Sequence, residues 1–296
     1  MSCKYQGCTG LTSIDIPNTV TEIREQAIYG CTGLTSIYIP SSIVYIGNAA
    51  FGDCTNLAAV HISDLTSWCK ISYPNSESDS GWGGWGITLP SNNPLYYARH
   101  LFINGKEIKN LIIPEGVESI NNQAFYGCEG LVSVTIPSSL STIGKLAFKR
   151  CSNLTEICIP DVVLWLSMDF DATAFPNEHY LSINGEKIIN LTIPEVINSI
   201  ENSALYNCKG IETIKVEAKR PPTVADNFAN TLYETCTLYV PEGSENAYYV
   251  ADGWKNFKKI ETFKEEQPEK VPQDVNGDGI VDTQDVLEIY KYIQEH

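Results

Sequence analysis

Basic residues are scarce: 20 lysines and arginines stand against 36 aspartates and glutamates, a net charge of −16 over 296 residues. That balance repels phosphate backbones and anionic lipid, and it makes nucleic acid a poor candidate partner. No stretch reaches the roughly 18 to 20 consecutive apolar residues of a membrane-spanning helix. The opening MSCKYQGC has no charged segment followed by an apolar run, so no export signal is expected within it. Histidine is rare, at positions 61, 100, 179 and 296, and HExxH, GxSxG, P-loop and CxxC patterns are lacking. Gly81, Gly83 and Gly86 satisfy GxGxxG, yet no strand precedes them and ITLP after them opens no helix. The expectation is a globular chain that is not an enzyme.

What the chain does have is an internal repeat. Cys8, Cys31 and Cys54 recur every 23 residues, and the interval returns from Cys128 to Cys151. The unit reads CxxLxx(I/V)xIPxx(V/I/L)xxIxxxA(F/I/L)xxC, and Gly105 and Gly185 replace the cysteine 23 residues before Cys128 and Cys208. Coils therefore open at 8, 31, 54, 105, 128, 151, 185 and 208. Each supplies one short strand, such as LTSIDI at 11–16, with Ile14 and Ile16 inward and Ser13 and Asp15 outward. Proline at 17, 40, 114, 137, 160 and 194 ends the strands, because it cannot donate to a ladder. One coil cannot bury its own apolar set; stacked neighbours can, and eight coils make a slab roughly 40 Å long.

This unit resembles the leucine-rich repeat of the BspA-like family, found in surface proteins of oral and gut bacteria and some protists, over about residues 3 to 216. The fold expected is an α/β-type repeat solenoid with coils of about 23 residues and one short parallel strand per coil. The resemblance implies an extracellular or cell-surface location, and host matrix or cell-surface proteins as ligands.

Six cysteines (8, 31, 54, 128, 151 and 208) share one repeat position. A metal or redox ladder and a buried row of small thiols both fit that register; with no CxxC pair or histidine partner, the buried row is the expectation. Cys3, Cys69, Cys158 and Cys236 lie off the row, and their pairing stays open.

Two coils are enlarged, near 63–103 and 161–183, and the enlargements are related. DLTSWCKI at 64–71 matches DVVLWLSM at 161–168, and LFINGKEI at 101–108 matches LSINGEKI at 181–188. Asp64 and Asp161 are expected helix N-caps, and Asn104-Gly105 and Asn184-Gly185 expected hairpin turns. The first insertion also holds Trp82 and Trp85 in a polar, glycine-rich loop, where they either meet a sugar or protein ligand or fold back on the solenoid. The outward strand positions Asp15, Tyr38, His61, Ile112, Thr135, Cys158, Thr192 and Lys215 form a second candidate surface.

Division of the chain is expected at 1–216 for the solenoid, 217–263 for a C-terminal cap, 264–273 for a linker and 274–296 for a loop and helix. The chain begins inside a repeat, since YQGC at 5–8 matches FYGC at 125–128, so the natural protein is expected to extend upstream. In DVNGDGIVDTQD, Asp274, Asn276, Asp278, the Ile280 carbonyl, Asp282 and Asp285 fall at the ligand positions of a calcium loop, with Gly279 at its turn. Calcium is the expected cofactor. This loop with one helix is similar to half of a dockerin. The resemblance implies Thr283 and Gln284 as docking contacts, and a cohesin-like module or a second dockerin half as partner. Glycans are the remaining ligand class, through Trp82 and Trp85.

Overall fold

The computed structural model describes residues 5–74, 92–170, 173–175, 178–200, 204–224, 228, 230–264, 275 and 282–295. Short strands, nearly all paired in parallel, stack coil upon coil. Ser36–Ile39 pairs with Ala59–Ile62, and that strand with Leu101–Ile103. Asn110–Ile112, Ser133–Thr135, Glu156–Cys158 and Tyr180–Ile183 form a second block. Asn190–Ile193, Thr213–Val216, Thr237–Pro241 and Lys259–Phe263 form the third.

Antiparallel hairpins close the first two blocks: Lys106–Glu107 folds back on Leu101–Ile103, and Glu186–Lys187 on Tyr180–Ile183. Their turns need two left-handed residues in succession. Asn104 and Gly105 have φ of 48° and 78°, and Asn184 and Gly185 have 52° and 81°.

Alternation within the strands follows from side-chain period two. Ile37, Ile39, Val60, Ile62, Val134 and Ile157 are buried while their neighbours face out. The 11–16 segment keeps that alternation, with Ile14 and Ile16 buried and Ser13 and Asp15 exposed, but it forms no ladder, contrary to expectation. Its coil is tied to the next through the opposite side, where Tyr5 and Gly7 amides donate to the carbonyls of Ala27 and Tyr29 at 2.7 Å each.

One strand per coil also proves too few. A second, two-residue strand recurs at Glu22–Ile23, Tyr45–Ile46, Ser119–Ile120, Thr142–Ile143, Asp169–Phe170, Ser199–Ile200 and Thr223–Val224. Two residues are too short to show a period, so only one apolar residue marks each, an Ile in five of them, Phe170 and Val224 in the others. A third line of coil-to-coil bonds links Gln123 to Lys145, Phe125 to Ala147 and Gly127 to Lys149. Coils approach so closely here that a Cβ on Gly47 would stand 2.6 Å from the Glu25 nitrogen.

Inside, Phe125, Phe148 and Phe175 stack in register, with centroids 5.1 and 5.2 Å apart and planes 6° from parallel. The helices are short: α1 Leu65–Cys69, α2 Leu95–Ala98, α3 Val162–Ser167, α4 Asn230–Thr235, α5 Glu245–Val250 and α6 Thr283–Glu295. Asp64 accepts from the Ser67 amide at 2.8 Å and Asp161 from the Leu164 amide at 2.7 Å, so each satisfies an otherwise unpaired N–H of α1 or α3. The Ser67 hydroxyl bond is the largest cause holding the Asp64 carboxyl below its ordinary pKa. Replacing Asp161 by alanine is expected to cost about 1 kcal/mol in urea unfolding, with asparagine restoring most of it; equal loss in both variants would show that charge rather than capping is at work.

One turn into α1 and α3, Trp68 and Trp165 enter the core, and their indole N–H groups donate to the carbonyls of Ala124 and Ala204, both at 3.0 Å. Between the last two strands of the third block, Tyr248 donates to the Ala218 carbonyl and Trp254 to that of Pro222, at 2.6 and 2.7 Å. With Phe228, Tyr233 and Phe257 they cover the last coil, while Tyr249 points outward.

Candidate binding face

The outward strand positions align as the repeat register requires: Tyr38 beside His61, Ile112 beside Thr135 and Cys158, Thr192 beside Lys215. Asp15 is exposed but has no ladder neighbour. The insertions add members that repeat counting misses. Phe102 continues the Tyr38–His61 row, its ring 4.9 Å from that of His61. Ser182 follows Cys158, and Tyr239 and Glu261 follow Lys215.

At one end this face is apolar and aromatic. Tyr38 is 41% exposed and Ile112 67% exposed, with half-buried His61 and Phe102 among them. Beside Phe102, His100 Nδ1 meets the Glu107 carboxylate at 2.7 Å. Further along, Ser182 is buried and donates to Glu156 at 2.7 Å, with Cys158 Sγ 3.0 Å from its hydroxyl. Lys215 ends over the Phe263 ring, 4.5 Å from its centroid.

A second surface had no sequence signal, because α2 brings it together from inside an insertion. Tyr97 accepts from the Asp53 amide at 3.0 Å, Tyr29 is hydrogen-bonded to the Asp53 carboxylate, and Tyr96 stacks on Tyr126. The Arg150 guanidinium lies 5.3 Å from the Tyr96 centroid. Bonding to Asp53 pushes the Tyr29 hydroxyl above its ordinary pKa. These rings and charges are largely occupied with one another, so they hold α2 against the coils.

The cysteine row is buried at 31, 54, 128, 151 and 208, whereas Cys8 is exposed and departs from the row. Cys31, Cys54 and Cys151 donate their thiols to carbonyls 26 residues earlier, of Tyr5, Ile28 and Phe125, at 3.0, 3.1 and 3.1 Å. Burial pushes the Cys54 and Cys128 thiols up to about 12. Off the row, Cys69 and Cys236 are buried free thiols and Cys158 a half-buried one. Such thiols are poor nucleophiles and poor metal ligands.

Of the calcium-loop residues, Asp274, Asn276, Asp278 and Ile280 lie outside the described residues, as do Trp82 and Trp85. Asp282 accepts from the Gln284 amide at 2.7 Å. Asp285, buried, accepts from the amides of Val275 at 2.7 Å and Asp282 at 2.8 Å. Together they cap the start of α6, Asp282 through the Gln284 amide and Asp285 by reaching back to that of Asp282, and both carboxylates are hard oxygen donors of the kind calcium takes. Thr283 and Gln284 are exposed in that first turn. Among the described residues no group of three potential ligands forms a metal cluster, and no helix is long and apolar enough to cross a membrane.

The pattern of the BspA type leucine-rich repeat region matches in six copies, over residues 2–77, 97–220 and 173–262. Among solved structures, a leucine-rich repeat protein of Bacteroides ovatus is 22% identical, with a TM-score of 0.43 over 88% of this chain and 62% of its own. The chain thus spans less than two thirds of that protein. A leucine-rich cell surface protein of Faecalibacterium prausnitzii is 15% identical, with a TM-score of 0.32 over 82% of this chain and 83% of its own. The pneumococcal vaccine antigen PcpA is 14% identical, with a TM-score of 0.37 over 86% and 80%. No curated protein matches the chain.

Proposed function

Because the chain belongs to the BspA-type leucine-rich repeat family, we propose that it is a non-enzymatic binding module of a cell surface or secreted protein, and that it holds protein ligands on the exposed strand face. One observation carries this reading. Tyr38, His61, Phe102 and Ile112 occupy outward positions, where a merely solvated sheet would place polar residues. Contiguous exposed apolar surface marks interaction sites, and aromatic side chains concentrate the binding energy there. The ligands proposed are host matrix or cell-surface proteins.

The test is binding to a panel of matrix proteins and polysaccharides, with and without calcium. A protein hit that survives chelation is expected, and Tyr38→Ala with Ile112→Asp should weaken it at least about tenfold. Silence on every protein, or a hit these substitutions leave unchanged, would overturn the reading.

A second reading rests on the helix α6. Val286, Leu287, Tyr290 and Ile293 are all more than half exposed, although the sequence gives the helix an apolar face. We propose that the C-terminal unit takes calcium through Asp274, Asn276, Asp278, Ile280, Asp282 and Asp285 and docks an assembly partner. Thr283 and Gln284 beside that face are the proposed docking contacts. Deleting 264–296 should abolish that docking and leave the strand-face ligand bound. Glycan capture by Trp82 and Trp85 is the alternative that Trp82→Ala with Trp85→Ala would expose.

A further inference from the structure

The two inserted modules put equivalent residues in equivalent places and reverse the charge at those opposite the outward Phe102 and Ser182, while Lys106 and Glu186 at the turns reverse it in the other sense. Aligning LFINGKEI with LSINGEKI, and Cys128 with Cys208, pairs His100 with Tyr180, Glu107 with Lys187, Glu129 with Lys209 and Gly130 with Gly210. In the first module Glu107 bonds His100 and lies against Gly130, where a Cβ would stand 2.8 Å from its carboxylate oxygen. Glu129 next to it holds Arg99 at 2.8 Å.

In the second module the Tyr180 ring lies against Gly210 in the same way, a Cβ there falling 2.7 Å from the ring. Two ammonium groups share that ring: Lys187 Nζ lies 3.8 Å and Lys209 Nζ 4.9 Å from its centroid. Cation–π attraction holds two like charges together on a chain that is strongly acidic overall. Among the described residues neither ammonium has a carboxylate within ion-pair distance; Glu156, in register with Tyr180, accepts from Ser182 instead.

One station thus presents two carboxylates, already bonded to His100 and Arg99 at its rim, and the other two ammonium groups, both on the proposed binding face. Three strand spacings separate Asn110–Ile112 from Tyr180–Ile183, roughly 15 Å, and the Lys106–Glu107 hairpin precedes Asn110–Ile112, so the stations stand on the order of 20 Å apart. We infer that this face binds an extended polypeptide segment of mixed charge, seating an acidic side chain on Lys187 and Lys209 and a basic one on Glu107 and Glu129. The inference rests on the protein-binding reading above. A uniformly acidic chain, such as a sulfated polysaccharide, satisfies only the second station and is repelled by the first and by the net charge. An extended segment with opposite charges on the order of six residues apart meets both stations.

The probes are labelled peptides of about 12 residues: one with paired lysines and paired glutamates at that spacing, one acidic throughout, one basic throughout, together with heparin. The mixed peptide is expected to bind the full chain at least about tenfold more tightly than either uniform peptide, and to weaken as salt rises from about 50 to 300 mM. Lys187→Glu with Lys209→Glu, changed where one side chain is exposed and the other half-buried, should turn the preference to the basic peptide. Equal binding of the acidic peptide or heparin, no peptide binding, or an unchanged preference in the folded variant would overturn the inference. If the matrix panel binds through Tyr38 while the peptides fail to discriminate, this inference falls and the protein-binding reading stands. A silent panel removes the latter.

Discussion

Trp165→Ala is expected to lower the unfolding free energy by about 3–5 kcal/mol, the usual range for a large aromatic removed from a core. The indole is fully buried, 4.9 Å from the Phe170 ring and 5.8 Å from that of Phe175. Its loss also leaves the Ala204 carbonyl without the indole donor. Trp165→Phe separates the two effects, since it keeps most of the ring but not the N–H, and should cost about 1–3 kcal/mol. A repeat array is held together by contacts between neighbours, so the alanine variant should also lose its single urea transition, the coils on either side of Trp165 melting apart. Far-UV circular dichroism followed through urea reads both quantities. A loss under about 1 kcal/mol with one sharp transition would mean that the insertion is ornament and does not join the coils.

Raising the pH from 7.5 to 10 should remove several kcal/mol of stability while the carboxylates hold their charge and the lysines most of theirs. Burial pushes Cys69 and Cys128 up to about 12, and Cys151 and Cys208 well above the ordinary thiol value. Folded pKa values above the unfolded ones mean that stability is intact below the unfolded value and falls as pH climbs toward the folded one. In that window the unfolded chain sheds protons that the fold retains. Each such thiol contributes about 1 kcal/mol of loss by pH 10. Urea midpoints under reductant at the two pH values measure the fall. Cys128→Ala with Cys151→Ala begins less stable because of the lost packing, but its further fall on going to pH 10 should be smaller by about 2 kcal/mol. A fall as steep as the parent's would assign the alkaline loss to other groups.

The repeat made most of the solenoid legible, because each coil states the same inward positions and a one-residue slip would turn Ile37 and Val60 to solvent. The N-caps Asp64 and Asp161 and the Asn-Gly turns were legible for a different reason: each is a local device with its own chemistry. The second strands were not, being two residues long. Cys8 was misplaced since residue type alone cannot say that a thiol lies at an exposed end. On the binding face, Tyr38 and His61 could be read from the register, but Phe102, Glu107 and Lys187 lie beyond a change in coil length. Phe102 joins that face only through its pairing with His61. The tyrosines around Arg150 could not be found at all, for they meet across separate coils with no shared spacing.

The two hairpins make the sheet three blocks, and this bears on how such a gene can change in length. A ladder that stops at a hairpin tolerates recombination there, because few backbone bonds cross it: Asn121 to Cys69 and Gly130 to Arg99 at the first seam, His179 to Asn207 and Lys209 to His179 at the second. Trp68 and Trp165 set the condition: each springs from the insertion before a seam and is bonded in the coil after it, at Ala124 or Ala204. A block copied without its insertion would strip the indole donor from that carbonyl and leave the core open. A block copied with it arrives complete, and the kinship of 64–71 with 161–168, and of 101–108 with 181–188, is the trace that such copying leaves.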